Sequence, residues 1–222
     1  GSINGIVLLD KPLGLTSNES LQTAKRIFKA KKAGHTGSLD KQASGLLPLC
    51  FGEATKFSGY LLNADKRYRA RIRLGITTST GDAEGEIIKM VAADNITDKR
   101  VVEVLESFVG RIEQVPPMHS AIKHNGQRLY KLAHQGVVVE RNARPVTIHS
   151  ISYLGRVESD IEIDVSCSKG TYIRRLAEDV GNTLGCGGSV SALRRTGAGP
   201  YSAENMVDLD TLATLSERGH LS

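Results

Sequence analysis

One stretch limits the fold more than any other. From Lys66 onward, Arg67, Arg69, Arg71 and Arg73 alternate with Tyr68, Ala70, Ile72 and Leu74. A period of two is what a β-strand produces when successive side chains point to opposite faces. One face of this strand needs a core against it, and the other is basic. Four like charges along one face repel each other. Either an external anion relieves them, a phosphate backbone being the obvious one, or they mark a solvated edge strand that charge protects from aggregation.

Around this strand the chain alternates strand and helix patterns, with no repeat and no low-complexity linker, which predicts one compact α+β unit. Residues 6–9 read as a buried strand. Thr16-x-x-Glu19 is a capping-box pattern ahead of a helix with Leu21, Ala24 and Phe28 on its apolar side. A second helix is predicted over 53–62, with Ala54, Phe57 and Leu61 on one face. The segment 77–85 is a polar, Gly-punctuated loop. A helix through Val101, Leu105 and Phe108 ends at Gly110, and Asn125-Gly126 signals a hairpin. Ile161, Ile163, Val165 and Cys167 alternate as a strand. After Ser168-Lys169-Gly170-Thr171-Tyr172, the residues Ile173, Leu176, Ala177, Val180 and Leu184 sustain a helix, which puts Arg174 in its first turn.

Composition excludes several classes. With 222 residues, 40% of them apolar, the chain can bury a sizeable core as one domain or two. No stretch approaches the roughly 18 apolar residues of a membrane span, and no signal-peptide pattern opens the chain, so a cytoplasmic protein is expected. Cys50, Cys167 and Cys186 are odd in number and far apart, which argues against disulfides and zinc and for buried small hydrophobes. Gly1-Ser2 resembles the scar of an expression tag. The net charge of +5 is modest, but the basic residues cluster: Lys25, Arg26, Lys29, Lys31 and Lys32; Lys66 to Arg73; and Arg174, Arg175, Arg194 and Arg195.

The most chemical segment is Gly34-His35-Thr36-Gly37-Ser38-Leu39-Asp40, just ahead of the apolar Leu46-Leu47-Pro48-Leu49. Two glycines let the backbone approach a ligand closely, and the apolar run anchors the loop. Asp40 there is either an Asx turn leading into a buried strand or a carboxylate held for chemistry.

Seven segments in order resemble the bacterial tRNA pseudouridine synthase B (TruB) family over residues 5 to about 209. They are Leu9-Asp10-Lys11-Pro12-x-Gly14-x-Thr16-Ser17, Gly34-His35-Thr36-Gly37-x-Leu39-Asp40, Gly52-Glu53-Ala54-Thr55-Lys56, Asp65-Lys66-Arg67-Tyr68, Thr80-x-Asp82-x-x-Gly85, Lys169-Gly170-Thr171-Tyr172-Ile173-Arg174 and Leu193-Arg194-Arg195. The resemblance implies a pseudouridine synthase fold, with a mixed, mostly antiparallel central sheet flanked by helices and an RNA-binding cleft. It implies isomerisation of the T-loop uridine at tRNA position 55 by a catalytic domain covering 3–222, with no cofactor or metal. The implied partner is the T-stem and T-loop of tRNA, with no membrane or protein partner, and the chain is expected to act as a monomer.

Breaking the N-glycosidic bond, turning the base over and rejoining it through C5 needs a nucleophile and later a base. Keeping an Asp protonated at pH 7 would take a shift of about three units, or about 4 kcal/mol, so Asp40 should act as a carboxylate nucleophile. By the resemblance, Arg174 pairs with this carboxylate, and Tyr68 stacks on the uracil and helps remove the C5 proton. Tyr68 could also be a plain core aromatic on its strand. His35 matches the residue that fills the space vacated by the flipped base. Lys11, Tyr172 and Leu193 match pocket-lining positions, although Lys11 could equally hold its loop in shape without touching RNA. Lys56 and Asp82 rank lower, as RNA-contact or loop-ordering residues.

Two departures stand out. Where the family usually has Asp-Pro, this chain has Asp40-Lys41-Gln42, which removes a rigid φ beside the nucleophile and predicts slower chemistry. The family's small C-terminal RNA-binding, PUA-like domain is expected to be absent from this chain, which predicts weaker tRNA binding. A catalytically impaired tRNA-binding or tRNA-folding module shares most of these features and differs at Asp40. A third reading keeps the chemistry and moves the substrate to guide-RNA particles.

Overall fold

A computed structural model describes residues 3–219; the reading of Gly1-Ser2 as a tag scar lies outside them. In chain order the elements begin with β1 (Gly5–Lys11), α1 (Ser17–Phe28), β2 (Ala33–His35) and β3 (Ala43–Phe51). A 3₁₀ segment (Gly52–Phe57) then leads to α2 (Ser58–Asn63), β4 (Lys66–Leu74), β5 (Ile76–Thr78), β6 (Ile87–Met90) and α3 (Asp98–Ser107). Next come β7 (Gly110–Gln114), β8 (Lys123–His124), β9 (Gln127–Arg128), α4 (Leu129–His134), β10 (Arg144–Val157) and β11 (Asp160–Cys167). The chain closes with α5 (Ile173–Thr183), β12 (Gly188–Ala198), β13 (Tyr201–Ser202), a 3₁₀ turn (Ala203–Asn205) and α6 (Leu209–Glu217). Strands and helices mix in the expected α+β manner, and most strand pairs are antiparallel. The described residues divide into two compact units, one of residues 3–69 and 193–219 and the other of 70–192. The boundaries fall inside β4 and β12.

In the first unit β3 is the organising strand. It is buried almost throughout, because Leu47, Leu49 and Phe51 face a core shared with Leu9, Leu21, Ala24 and Leu212, while Cys50 faces Ala54 and Leu61. A strand covered on both faces reads as a continuous apolar run instead of an alternating one. One edge of β3 is paired along its length with β1, from Gly5 opposite Phe51 to Lys11 opposite Gly45. The other edge is shared: β12 runs parallel to it at Ala43, Ser44 and Gly45, and β2 is antiparallel to it at Leu49, Cys50 and Phe51. Pro48 sits in the gap between these partners, where a residue without an N–H breaks no ladder. Side chains take the carbonyls left in the gap. Arg195 Nε donates to Leu46 O at 2.8 Å and Thr36 Oγ1 to Pro48 O at 3.2 Å.

Helix α1 starts with the expected capping box. Thr16 Oγ1 accepts from Glu19 N at 3.0 Å, and Glu19 Oε2 accepts from Thr16 N at 3.4 Å. Lys29 ends the helix in the left-handed region at φ 50°. Thr16→Ala is expected to lower stability by about 1 kcal/mol, read as a reduced denaturant midpoint with an unchanged m-value; no change would mean that water replaces the cap.

The predicted helix over 53–62 is broken instead into the 3₁₀ segment and the short α2, and Phe57 is exposed. Local polar groups compete for its backbone: Asn4 Oδ1 accepts from Glu53 N at 2.8 Å, Thr55 Oγ1 donates to Gly52 O at 2.8 Å, and Ser58 Oγ donates to Thr55 O. The basic strand also needs correcting. Lys66 is buried and caps α2, donating to the carbonyls of Leu61, Leu62 and Ala64 at 3.0, 3.3 and 2.6 Å. In its own stretch β4 keeps the expected alternation, with Ala70, Ile72 and Leu74 buried.

The second unit orders β4, β11, β10 and β7. Arg71 and Arg73 pair with Glu162 and Asp160 of β11 at 3.2 and 3.1 Å, so carboxylates of this chain relieve these two arginines. Segment 77–85 is not all loop, since Thr77 and Thr78 pair with Lys89 and Ile87 as a small hairpin. Asn125 and Gly126 both have positive φ, 50° and 81°, the type I′ requirement that the sequence signalled. Helix α3 starts at Thr97, whose side chain accepts from Arg100 N, and α5 buries Ile173, Leu176, Ala177 and Val180 as expected. All three cysteines are buried and none is in a disulfide.

Candidate active site

Lys11, His35, Asp40, Lys56, Tyr68 and Leu193 fall in the first unit, and Asp82, Tyr172 and Arg174 in the second. Each group has its own local geometry.

Asp40 is exposed, directly ahead of the turn into β3, while the residues around it are tightly held. Leu39 is buried in the core cluster, and both its backbone groups meet one hydroxyl: Ser17 Oγ accepts from Leu39 N at 2.7 Å and donates to Leu39 O at 3.0 Å. Gly14 N donates to Lys41 O at 2.9 Å, and Ala43 N to Asp40 O at 2.9 Å. Further back, Arg195 Nη2 donates to Gly37 O at 3.0 Å. Gly45, at φ 107°, presses against the Arg195 backbone so closely that a Cβ would lie 2.2 Å from the Arg195 carbonyl oxygen; only glycine fits there. A free-standing Asx turn would need none of this support.

Lys11, at the end of β1, has no exposed surface. Its ammonium donates to Pro12 O at 2.7 Å and Leu15 O at 2.6 Å, which is the loop-shaping role foreseen as an alternative. Burial pushes its pKa down to about 8, against an upward pull from Asp40 and with a further push down from Arg195. The folded chain therefore releases this proton near pH 8, while the unfolded chain holds it to about 10.5. In that window the unfolded state binds more protons, so stability rises with pH. We expect the stability of the parent relative to Lys11→Met to rise by about 2 kcal/mol between pH 8 and pH 10. Parallel denaturant-midpoint curves for the two proteins would contradict it.

His35 ends β2. Burial, and then the charge of Arg195, hold its pKa below the usual value, so the ring is neutral at pH 7. Its buried Nδ1 has no hydrogen-bond partner among the described residues. Tyr68 and Leu193 are half-buried against the core cluster of β3. Lys56 is exposed on the 3₁₀ segment, its ammonium 5.8 Å from the Phe57 ring centre.

In the second unit Arg174 is buried in the first turn of α5, as the sequence placed it. It donates to Thr80 O at 3.3 Å and to His119 O. Asp82 orders the loop beside it: Oδ1 accepts from Thr80 Oγ1 at 2.6 Å and from Glu84 N at 3.0 Å, and its carbonyl accepts from Thr78 Oγ1 at 2.6 Å. That fits the loop-ordering alternative. Tyr172 is held through its backbone by Gln114, whose Oε1 accepts from Tyr172 N at 3.0 Å and whose Nε2 donates to Tyr172 O at 3.3 Å. Among the described residues no group of three His, Cys, Asp or Glu side chains could hold a metal ion.

Sequence reading missed the supporting residues Ser17, Thr36, Gln114 and Arg195. Ser17, Thr36 and Arg195 were visible as members of the collinear segments, but their roles depend on partners far along the chain. Gln114 carried no signal.

Residues 25–173 match the family model described as TruB family pseudouridylate synthase, N-terminal domain. The chain belongs to that family. Residues 174–220 match a second model of the same family, the tRNA pseudouridylate synthase B C-terminal domain. Curated relatives named tRNA pseudouridine synthase B include that of Nitrosococcus oceani, 56% identical over 97% of this chain and 70% of the relative. That of Dechloromonas aromatica is 55% identical over 99% and 73%. Among solved structures, a Cbf5–Nop10–Gar1 complex superposes with a TM-score of 0.76 at 30% identity. An H/ACA ribonucleoprotein bound to a substrate RNA containing 2′-deoxyuridine gives 0.71 at 28%. These cover 97% of this chain but only 56% and 55% of those chains, so the chain spans just over half their length. The synthase thus has the expected fold and is an enzyme of the isomerase class. Its higher identity to the tRNA synthases than to the ribonucleoprotein subunits argues against the guide-RNA reading, and nothing favours the folding-module alternative. No helix among the described residues is long and apolar enough to cross a membrane.

Proposed function

We propose that this synthase converts the T-loop uridine at tRNA position 55 to pseudouridine, acting in the cytoplasm on the T-stem and T-loop without a cofactor. The observation that carries this reading is an exposed carboxylate, Asp40, whose flanking peptides are held on both sides by hydrogen bonds from residues 14 and 17. Fixed aim of this kind is worth keeping only for a group that reacts.

In this reading the target base is flipped out of the loop at a cost of a few kcal/mol, and stacking on Tyr68 offsets part of that. The neutral ring of His35 takes the vacated space, which suits an uncharged imidazole because it can stack like a base. Asp40 attacks C1′ of the flipped nucleoside as the C1′–N1 bond breaks and the uracil leaves as its N1 anion. The base turns while held by the enzyme, C5 attacks C1′ and releases the Asp40 carboxylate, the C5 proton is then removed with help from Tyr68, and N1 takes up a proton. Arg174 is the family's partner for the carboxylate. By the family resemblance Tyr172 and Leu193 match positions that meet the uridine, Lys11 holds its own loop in shape through Pro12 O and Leu15 O, Lys56 meets RNA phosphate, and Asp82 orders the loop that receives Arg174.

The test is tritium release from a tRNA transcript labelled at uracil C5. Release in step with pseudouridine formation is expected. Salt-sensitive tRNA binding with no release would overturn the enzyme reading.

A further inference from the structure

We propose that Ser17 is the positioning residue for the nucleophile, and that Lys41 is what makes this chain depend on it. The inference rests on the reading of Asp40 as nucleophile.

Ser17 occupies the first helical position of α1, where a side chain commonly faces solvent, yet it is buried. The capping box at Thr16 and Glu19 fixes the first helical turn, so the hydroxyl is presented in one direction. It engages both the N–H and the C=O of Leu39. With its side chain in the core, Leu39 is fixed at three points one residue ahead of Asp40.

On its other side Asp40 opens a turn. The Ala43 N–H to Asp40 C=O bond closes a four-residue turn, with the exposed Lys41 and Gln42 as its central residues. Lys41 occupies the second turn position, which proline favours because its ring presets φ. It is not among the residues with positive φ, so a proline would meet no left-handed backbone there. In the family resemblance this is the usual Asp-Pro position. Without the ring, residue 41 is restrained through its carbonyl by Gly14 N–H, and the Ser17 clamp carries more of the aim of Asp40.

The chemistry of Ser17 therefore reaches the reaction only through the backbone of residue 39. Losing the hydroxyl should let Asp40 wander, which lowers the rate of the chemical step without removing any group that touches RNA. Misplacement of about 1 Å costs on the order of 100-fold.

The experiment measures single-turnover rates and tRNA affinity for the parent, Ser17→Ala, Lys41→Pro and the double variant. It adds amide hydrogen exchange at Leu39. Ser17→Ala is expected to slow the chemical step by roughly 10- to 100-fold, leave tRNA affinity within about twofold and speed Leu39 exchange. Lys41→Pro should restore most of the rate in the Ser17→Ala background and gain less in the parent. An unchanged rate in Ser17→Ala, or a double variant as slow as Ser17→Ala alone, would overturn the inference. If Ser17→Ala does not fold, the near-isosteric Ser17→Cys serves, and the same rescue by Lys41→Pro is required. Parent activity separates the two claims. A parent that releases no tritium sinks the catalytic reading, while an active parent with an indifferent Ser17→Ala sinks only the positioning role. Leu39 exchange reads the clamp in either case.

Discussion

Asp40→Asn is expected to reduce tritium release by at least about 1000-fold, to the background rate, as loss of a nucleophile does. Thermal stability and tRNA affinity should barely move. The substitution keeps the shape of the side chain, and the hydrogen bonds from Ser17, Gly14 and Ala43 run to the main chain of residues 39, 40 and 41, so the clamp survives. RNA is a polyanion, so removing one exposed negative charge gives no reason for weaker binding. The change also removes the larger of the two upward pulls on the Lys11 pKa, the other coming from Glu19, and Lys11 should titrate lower still. Rates within tenfold of the parent would exclude Asp40 as the nucleophile.

Arg195→Leu is expected to cost the most stability. Arg195 is 1% exposed, and its guanidinium satisfies Leu46 O in the gap of the β3 edge and Gly37 O in the nucleophile loop. Leucine fills part of the space but donates nothing, leaving two carbonyls without their partner at about 1–3 kcal/mol each. A total near 3 kcal/mol lowers the melting temperature of a chain this size by roughly 6–12 °C. Arg195 also pushes down the pKa values of Lys11 and His35, so both should rise in the variant. A shift below about 2 °C would mean that water reaches those carbonyls.

Local patterns carried much of the fold. The alternation along β4, the capping box at Thr16 and Glu19, the Asn125-Gly126 turn and the apolar face of α5 are short-range signals, and each appears where the sequence put it. What the sequence misjudged depends on distant partners. Nothing near Arg71 or Arg73 announces Glu162 and Asp160, so the arginine row looked like a bare surface waiting for phosphate. Lys66 was grouped with the same basic cluster, yet its spacing puts it on the buried face with Ala70 and Ile72, where it folds back to cap α2. The helix expected over 53–62 failed because apolar spacing does not register Asn4 reaching across to Glu53 N. At the site, Asp40, His35 and Arg174 stood out because chemistry favours their residue types in Gly-bounded loops and first helical turns. The Ser17 clamp and the Arg195 strut join residues 22 and 158 positions apart, and such bonds become legible only once the chain has folded.

The most direct measurement is nucleotide-resolution mapping of pseudouridine in an otherwise unmodified tRNA transcript after incubation with this chain. A single new pseudouridine at position 55 is expected, absent with Asp40→Asn. Pseudouridine at other uridines, or none at all with a folded protein that binds the transcript, would contradict the account.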